Sequence, residues 1–340
     1  MKVAIIGAGF AAKPHILSLA DLAGEVEFGW LCGRSPERLA AAAKNFAIPP
    51  GTRTTTQLDD IWQDKDVRAV LVLTPANAHL DVVRQAAEAG KHVLLEKPLE
   101  VNMPRAIEVV ALCESLGIKL AVMFQHRLRQ PASALRRMIH RGELGTLISV
   151  QASARWWRPQ SYYDEPGRGT MARDGGGVLM VQGIHLLDLL ISLTGMPDSV
   201  TAHATTSAVH RMETEDTVCA LLHFANGGIG TIDATTAAYP GFAERIALNF
   251  TGATATLEGG AVTGEFMDGR KFNFGEKQST GFGANIMAFD HDAHRTVIAD
   301  FVDAINTGRE PAVSGRSALD AQRLIDAVIG SARTGTTVML

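Results

Sequence analysis

The feature that most constrains this chain lies in its first twelve residues. The apolar run Val3-Ala4-Ile5-Ile6 leads directly into Gly7-Ala8-Gly9-Phe10-Ala11-Ala12, and a helical pattern through His15, Leu17, Leu19 and Leu22 follows. A buried strand that turns on glycines straight into a helix gathers free backbone N–H groups and the positive end of the helix dipole at one point, where a diphosphate can bind. The glycines permit the tight turn and the close approach of backbone to ligand, while Ala12, at the third position of the pattern, packs helix against strand. The turn alone is a weak signal that a Gly-rich loop binding nothing could also give, and its strand–turn–helix setting is what argues for a ligand. Gly7, Gly9, Phe10, Ala11 and Ala12 are the contacts expected here.

The same alternation continues to residue 123. Strands are expected at 26–32, 69–73, 92–95 and 119–123, and helices at 36–46, 78–89 and 103–115, the pattern of a parallel sheet wrapped by helices. Then the pattern changes. A helix at 132–141 precedes an extended run at 146–156, a loop at 158–173 and an apolar helix at 177–193. Extended stretches follow at 200–206, 217–224, 229–237 and 245–250, two of them joined by the hairpin signal Asn226-Gly227-Gly228, and helices return at 293–306 and 317–331. The expected fold class is therefore α/β, with a dinucleotide-binding domain at 1–123. A substrate-binding and oligomerisation domain is expected at 124–340, α+β with a large open, mainly antiparallel sheet.

Composition narrows the function. A chain of 340 residues suits two domains. Its 32 Lys+Arg against 36 Asp+Glu leave a net charge of −4, which removes the basic stripe of a nucleic-acid binder. Gly, Asp, His or Lys interrupts the longest apolar stretches, so no membrane span is expected, and the start does not read as a secretion signal. Three scattered cysteines (Cys32, Cys113, Cys219) without a CxxC fit free thiols in a reducing cytoplasm, with no zinc site and no metal.

The second strand ends in Cys32-Gly33-Arg34-Ser35. An NAD enzyme usually places Asp or Glu here to bind the ribose hydroxyls. Gly33 followed by a guanidinium and a hydroxyl suits a 2′-phosphate instead, which favours NADP over NAD, with NAD left open because Arg34 can also stack on the adenine or face solvent. Gly33, Arg34, Ser35 and Arg38 form this group. Thr74, Pro75, Asn77 and His79 follow one strand, and Glu96, Lys97 and Gln125 follow two others. They complete the cofactor contacts expected at the carboxyl ends of a parallel sheet.

Glu96-Lys97-Pro98, together with Asp174-Gly175-Gly176-Gly177-Val178-Leu179-Met180-Val181-Gln182-Gly183-Ile184-His185-Leu186-Leu187-Asp188, resembles the Gfo/Idh/MocA oxidoreductases. The resemblance extends through Asp300-Phe301 and Arg309-Glu310-Pro311, essentially the whole chain. It implies a Rossmann domain followed by a domain whose open sheet makes homodimer or homotetramer contacts. It also implies hydride transfer between a nicotinamide and a secondary alcohol or ketone of a sugar, sugar derivative or polyol. The family's lysine falls on Lys97, its histidine on His185, and the Lys97–Pro98 bond is implied to be cis. The pattern around His185 is similar to the branch of nucleotide-sugar and glycoside 3-dehydrogenases. Two other classes stay open on the same scaffold: an NAD-retaining glycoside hydrolase acting by transient oxidation and elimination, and a non-catalytic dinucleotide or sugar sensor.

The residues themselves suit the chemistry. Oxidising a secondary alcohol needs a proton acceptor near the hydroxyl, and a histidine titrates close to working pH. A lysine can hydrogen-bond the oxygen and stabilise charge developing on it. Members of the family often carry Asp four residues before the histidine, but Val181 stands there. Gln182 can hydrogen-bond but cannot accept a proton, and Asp188 either orients His185 or serves a local contact. The remaining substrate contacts are expected from an aromatic and basic stretch, Trp157, Tyr163 and Arg168, with Arg127 reaching cofactor or substrate. Each ring could equally pack a core or an oligomer contact.

Overall fold

The computed structural model describes residues 1–9, 11–46, 48–277 and 291–340. These form two compact units, Met1–Gln125 with Asp290–Leu319, and His126–Phe289 with Asp320–Leu340. The division differs from the simple halves 1–123 and 124–340, because the helix Asp292–Thr307 belongs with the first unit. Its buried stripe of Val297, Ile298, Phe301, Val302 and Ile305 needs an apolar cover. It packs on the first helix of the chain, where Asp21 accepts from His291 Nε2 and Arg295 Nη1, both at 2.9 Å.

The first unit is built on a six-stranded parallel sheet. Its strands are β1 (Lys2–Ile6), β2 (Glu27–Cys32), β3 (Arg53–Thr55), β4 (Val67–Val72), β5 (His92–Leu95) and β6 (Leu120–Val122), in the order β3-β2-β1-β4-β5-β6. The helices between them are α1 (Ala12–Asp21), α2 (Pro36–Asn45), α3 (Asp59–Gln63), α4 (His79–Glu88) and α5 (Met103–Ser115). The central strands are near-continuous apolar runs because helices cover both faces of the sheet. The order reverses direction beside β1, so ligands are expected at the carboxyl ends of β1 and β4. β3 and α3 fall outside the expected elements, being short and largely polar, which leaves no hydrophobic period to read.

The second unit carries a nine-stranded sheet. The helix α6 (Gln130–His140) leads to β7 (Leu147–Arg155), and the segment expected as a loop contains the short helices α7 (Gln160–Tyr163) and α8 (Met171–Asp174). A π-helical turn over Leu179–Gly183 then runs into α9 (Ile184–Thr194). The other strands are β8 (Ser199–Thr205), β9 (Thr217–His223), β10 (Ile229–Thr235), β11 (Arg245–Phe250), β12 (Ala253–Glu258), β13 (Ala261–Phe266), β14 (Lys271–Phe274) and β15 (Val338–Met339). Their order is β14-β13-β12-β11-β7-β10-β9-β8-β15, antiparallel except where β10 lies parallel to β7. The strands alternate buried and exposed residues, so one face is packed and α6 and α9 lie on it. The hairpin expected at Asn226 closes with Phe224 N–H donating to the Gly228 carbonyl at 2.9 Å. β12–β14 were not expected, since their Ala, Thr and Gly alternation gives little hydrophobic contrast.

The stretch Met171–Thr194 is long and apolar enough, by length and composition, to cross a membrane, yet 78% of its apolar window is buried inside the protein. It is the core helix against which the second sheet packs.

Candidate active site

In the first unit the expected cofactor residues line up along the carboxyl ends of β1, β2, β4, β5 and β6. Gly7 has φ +121°, and a Cβ there would lie 2.8 Å from both carbonyl atoms of Leu73, so only glycine fits. A Cβ on Gly9 would meet no atom within 4 Å, leaving open space over the start of α1. Ala12 is fully buried as the first residue of that helix, and Ala11 is exposed beside it. Phe10 lies outside the described residues.

At the end of β2, Gly33 N–H donates to the Thr55 carbonyl at 3.1 Å, and Ser35 caps α2 by accepting from Arg38 N–H at 3.3 Å. Its hydroxyl also donates to Glu37. Arg34 and Arg38 are exposed, and neither guanidinium forms an ion pair or hydrogen bond among the described residues. After β4, Pro75 and Asn77 stand at the surface on a 3₁₀ turn, while Thr74 Oγ1 is buried with no hydrogen-bond partner among the described residues. Gln125 Oε1, after β6, is buried in the same condition. His79 does not fit its expected role as a cofactor contact. It is 1% exposed, and its ring is held between the carbonyls of Pro98 at 3.0 Å and Thr74 at 2.9 Å, so it braces the loops that carry the contacts.

Glu96 and Lys97 follow β5, and the Lys97–Pro98 bond is cis, as the resemblance implied. Glu96 accepts from His15 Nε2 at 2.8 Å and from the Lys97 N–H at 3.1 Å. Burial pushes this carboxyl up, but the His15 hydrogen bond and the charges of His15, His294 and Lys97 outweigh it and hold the pKa at about 2. Glu96 thus anchors the backbone of Lys97 to α1. Open space above Gly9, two orphaned side-chain oxygens and unengaged cations beyond β2 together fit a dinucleotide. Gly7–Ala12 would hold its diphosphate and the β2 end its adenosine ribose.

In the second unit the geometry centres on His185, buried on the first turn of α9. The helix is positioned by Glu215, which the sequence reading missed. Its carbonyl accepts from Val178 N–H at 2.8 Å, and its carboxyl oxygens accept from Gly177 N–H at 3.1 Å and Leu179 N–H at 3.3 Å. Burial pushes the Glu215 pKa up against the pull of these N–H groups. The helix therefore has its N-terminal cap supplied from a distant strand end.

Asp188, one turn beyond His185, pairs with Arg127 and so serves a local contact: Arg127 Nε donates to Oδ2 at 2.7 Å, and Nη2 donates to Oδ1. Burial raises the Asp188 pKa to about 6 against the attraction of that guanidinium. Arg127, expected to reach cofactor or substrate, is here a buried brace that fixes α9. The ring stacked on His185 is His126, with centroids 4.8 Å apart and planes 27° from parallel, and His126 Nδ1 lies 3.3 Å from Glu244.

The aromatic and basic stretch is packed more tightly than expected. Tyr162 lies between two guanidinia, with Arg168 4.2 Å and Arg158 5.7 Å from its ring. Its hydroxyl accepts from Arg168 Nη1 at 2.7 Å and from Gln182 Nε2 at 3.4 Å. Arg168 is further engaged by Glu165 at 2.6 Å. Tyr163 is corrected to a core residue, since it is buried and its hydroxyl hydrogen-bonds Thr236 at 2.7 Å. Trp157 is half-buried and packs edge-on against exposed Tyr239. Gln182 keeps a buried Oε1 without a hydrogen-bond partner among the described residues. Beneath the stretch, buried His210 bridges Asp216 at 2.7 Å and the Arg158 carbonyl at 2.8 Å. No sequence spacing announces that pairing.

The fold and the residues along the first sheet define a dinucleotide-binding protein with a separate, histidine-bearing second unit. One family model, an oxidoreductase family with an NAD-binding Rossmann fold, matches residues 1–124, and another, the GFO/IDH/MocA C-terminal domain, matches residues 132–258. The chain belongs to the Gfo/Idh/MocA oxidoreductases. The uncharacterized oxidoreductase YrbE of Bacillus subtilis is 24% identical, with 99% of this chain and 95% of the relative covered. D-apiose dehydrogenase of Paraburkholderia graminis is 28% identical, covering 100% and 89%. Among solved structures, the WlbA dehydrogenase from Bordetella pertussis in complex with NADH and UDP-GlcNAcA is similar, with a TM-score of 0.84 at 28% identity, covering 100% and 98%. The protein is therefore an oxidoreductase with an NAD-binding Rossmann domain.

Proposed function

We propose that this enzyme oxidises a secondary alcohol of a sugar or sugar derivative, or reduces the matching ketone, with NADP preferred over NAD. The observation that carries the reading is the anchored Lys97, held after β5 by Glu96 in the same row as the glycine turn and the orphaned Thr74 and Gln125 oxygens. A bound nicotinamide would supply the hydride acceptor. In the roles that the family resemblance gives, Lys97 donates a hydrogen bond to the reacting oxygen and stabilises charge on it. His185 takes the hydroxyl proton on one ring nitrogen, and returns it when the reaction runs backwards.

NADP is favoured by Arg34 and Arg38, which are exposed beyond β2, and by Gly33 at the strand end in place of the Asp or Glu that usually holds both ribose hydroxyls. Gln182, with its unsatisfied buried oxygen, and partly exposed Trp157 and Arg168 are the substrate contacts that the second unit retains. Homo-oligomer contacts fit the outer face of the second sheet, which exposes Leu221 and Ile229 at 63% and 59%.

The test is a sugar and polyol screen at the nicotinamide absorbance band, run with Lys97→Ala. Turnover should fall by about 10²–10³-fold while NADP affinity, read by calorimetry, stays within about twofold. Wild-type turnover in that variant would refute the role of Lys97.

A further inference from the structure

Val181 removes the carboxylate that would sit one turn before His185, and the structure provides another by a different route. We infer that His126 and Glu244 form a positioning relay that orients His185 and supports its protonated state, a proposal that rests on His185 being the proton acceptor. The His126 ring lies flat on His185 at 4.8 Å, which fixes the plane of the catalytic ring. Glu244, immediately before β11, reaches His126 Nδ1 at 3.3 Å. A neutral His126 with Nδ1 turned toward Glu244 is an acceptable neighbour for a charged His185, whereas a cationic His126 would repel it.

The surroundings strengthen the coupling. His126 and Glu244 line a small cavity whose walls include Leu186, Leu189 and Leu257, so little water screens the carboxylate. Glu244 is buried, and its Oε1 has no hydrogen-bond partner among the described residues, so the His126 contact is where its charge is directed. Among the described residues Arg129 lines the same cavity, and Arg127, next to His126 in the chain, is paired with Asp188. Arg136 and Asp320 act on Asp188 from farther off. Asp188 is already committed to Arg127 by two hydrogen bonds, so Glu244 is the carboxylate directed at the stacked rings.

The expected effect follows from Coulomb's law. A single charge one stacked ring away from an imidazole in this environment moves its titration by about one pH unit. Removing it favours the neutral ring. Glu244→Gln should therefore move the His185 ring titration, followed by NMR, down by about one pH unit. The acid limb of log kcat/KM for alcohol oxidation should move down with it, and KM should change less than about twofold.

His126→Phe, which keeps a stacked ring but leaves the buried Glu244 carboxylate without its partner and so favours its neutral form, should give the same direction, and Glu244→Asp should restore most of the wild-type profile. A His185 titration that stays put in both Glu244→Gln and His126→Phe overturns the relay. If the titration moves while the acid limb stays, the relay stands and His185 is not the base, which separates the two failures.

Discussion

Replacing Gly177 by Ala tests how the His185 helix is held. The backbone of Gly177 is not in the left-handed region, so the requirement for glycine is one of contact. A Cβ there would stand 1.8 Å from the Glu215 carbonyl oxygen and 2.7 Å from its carbonyl carbon and Cδ. Backbone cannot rotate away as a side-chain tip can, so the two segments must separate by about 1.5 Å to reach van der Waals contact. That separation breaks the three hydrogen bonds from Gly177, Val178 and Leu179 to Glu215. Each is worth about 1 kcal/mol, and more where the carboxyl accepts, so a loss of about 3–5 kcal/mol is expected.

In a unit of this size 1 kcal/mol moves the melting temperature by about 2–4 °C, so thermal unfolding should show a fall of about 6–20 °C. Turnover should fall by about 10²-fold at permissive temperature, because His185 moves with the helix. Gly176→Ala is the control. Its Cβ meets only Met180 side-chain atoms, at 2.9 and 3.6 Å, which a flexible chain can yield. Equal melting temperatures and turnover for Gly177→Ala and wild type would refute the capping argument.

Arg34→Ala should weaken NADP about 10–100-fold in parallel calorimetric titrations and leave NAD nearly unchanged, and equal losses would mean that Arg34 does not read a phosphate. Glu96 is held at about 2, below the usual 4.5, so its contribution to stability is present above pH 4.5 and lost as pH falls through about 2. Glu96→Gln should flatten the loss of stability between those pH values in acid-unfolding curves, and an unchanged slope would show that the His15–Glu96 contact does not couple to folding.

The sequence was informative wherever the physics is local. The strand, turn and helix of residues 3–22 occupy adjacent positions, so an apolar run, two glycines and a 3.6-residue period are enough to predict the strand–turn–helix unit. The same holds for the parallel strands of the first sheet and for Lys97 at the end of one of them. The two family motifs also lie in continuous segments, and they carried the oxidoreductase class and the positions of Lys97 and His185.

Residue spacing could not show how the buried polar groups are satisfied, because their partners lie far apart in the chain. Arg127 meets Asp188 across 61 residues and Gly177 meets Glu215 across 38, and burial makes each pairing obligatory. Tertiary packing therefore set Arg127 and Tyr163 in buried hydrogen bonds and His79 as a strut between loops. It also returned the helix Asp292–Thr307 to the first unit and stacked His126, which contacts Glu244, on a histidine that lacks its usual neighbour. The sequence by itself determined the strand, glycine turn and helix expected to hold a dinucleotide, since those are short-range conformational preferences. Which side chains remain available to a ligand was decided only when the chain closed and each buried charge had to find a partner.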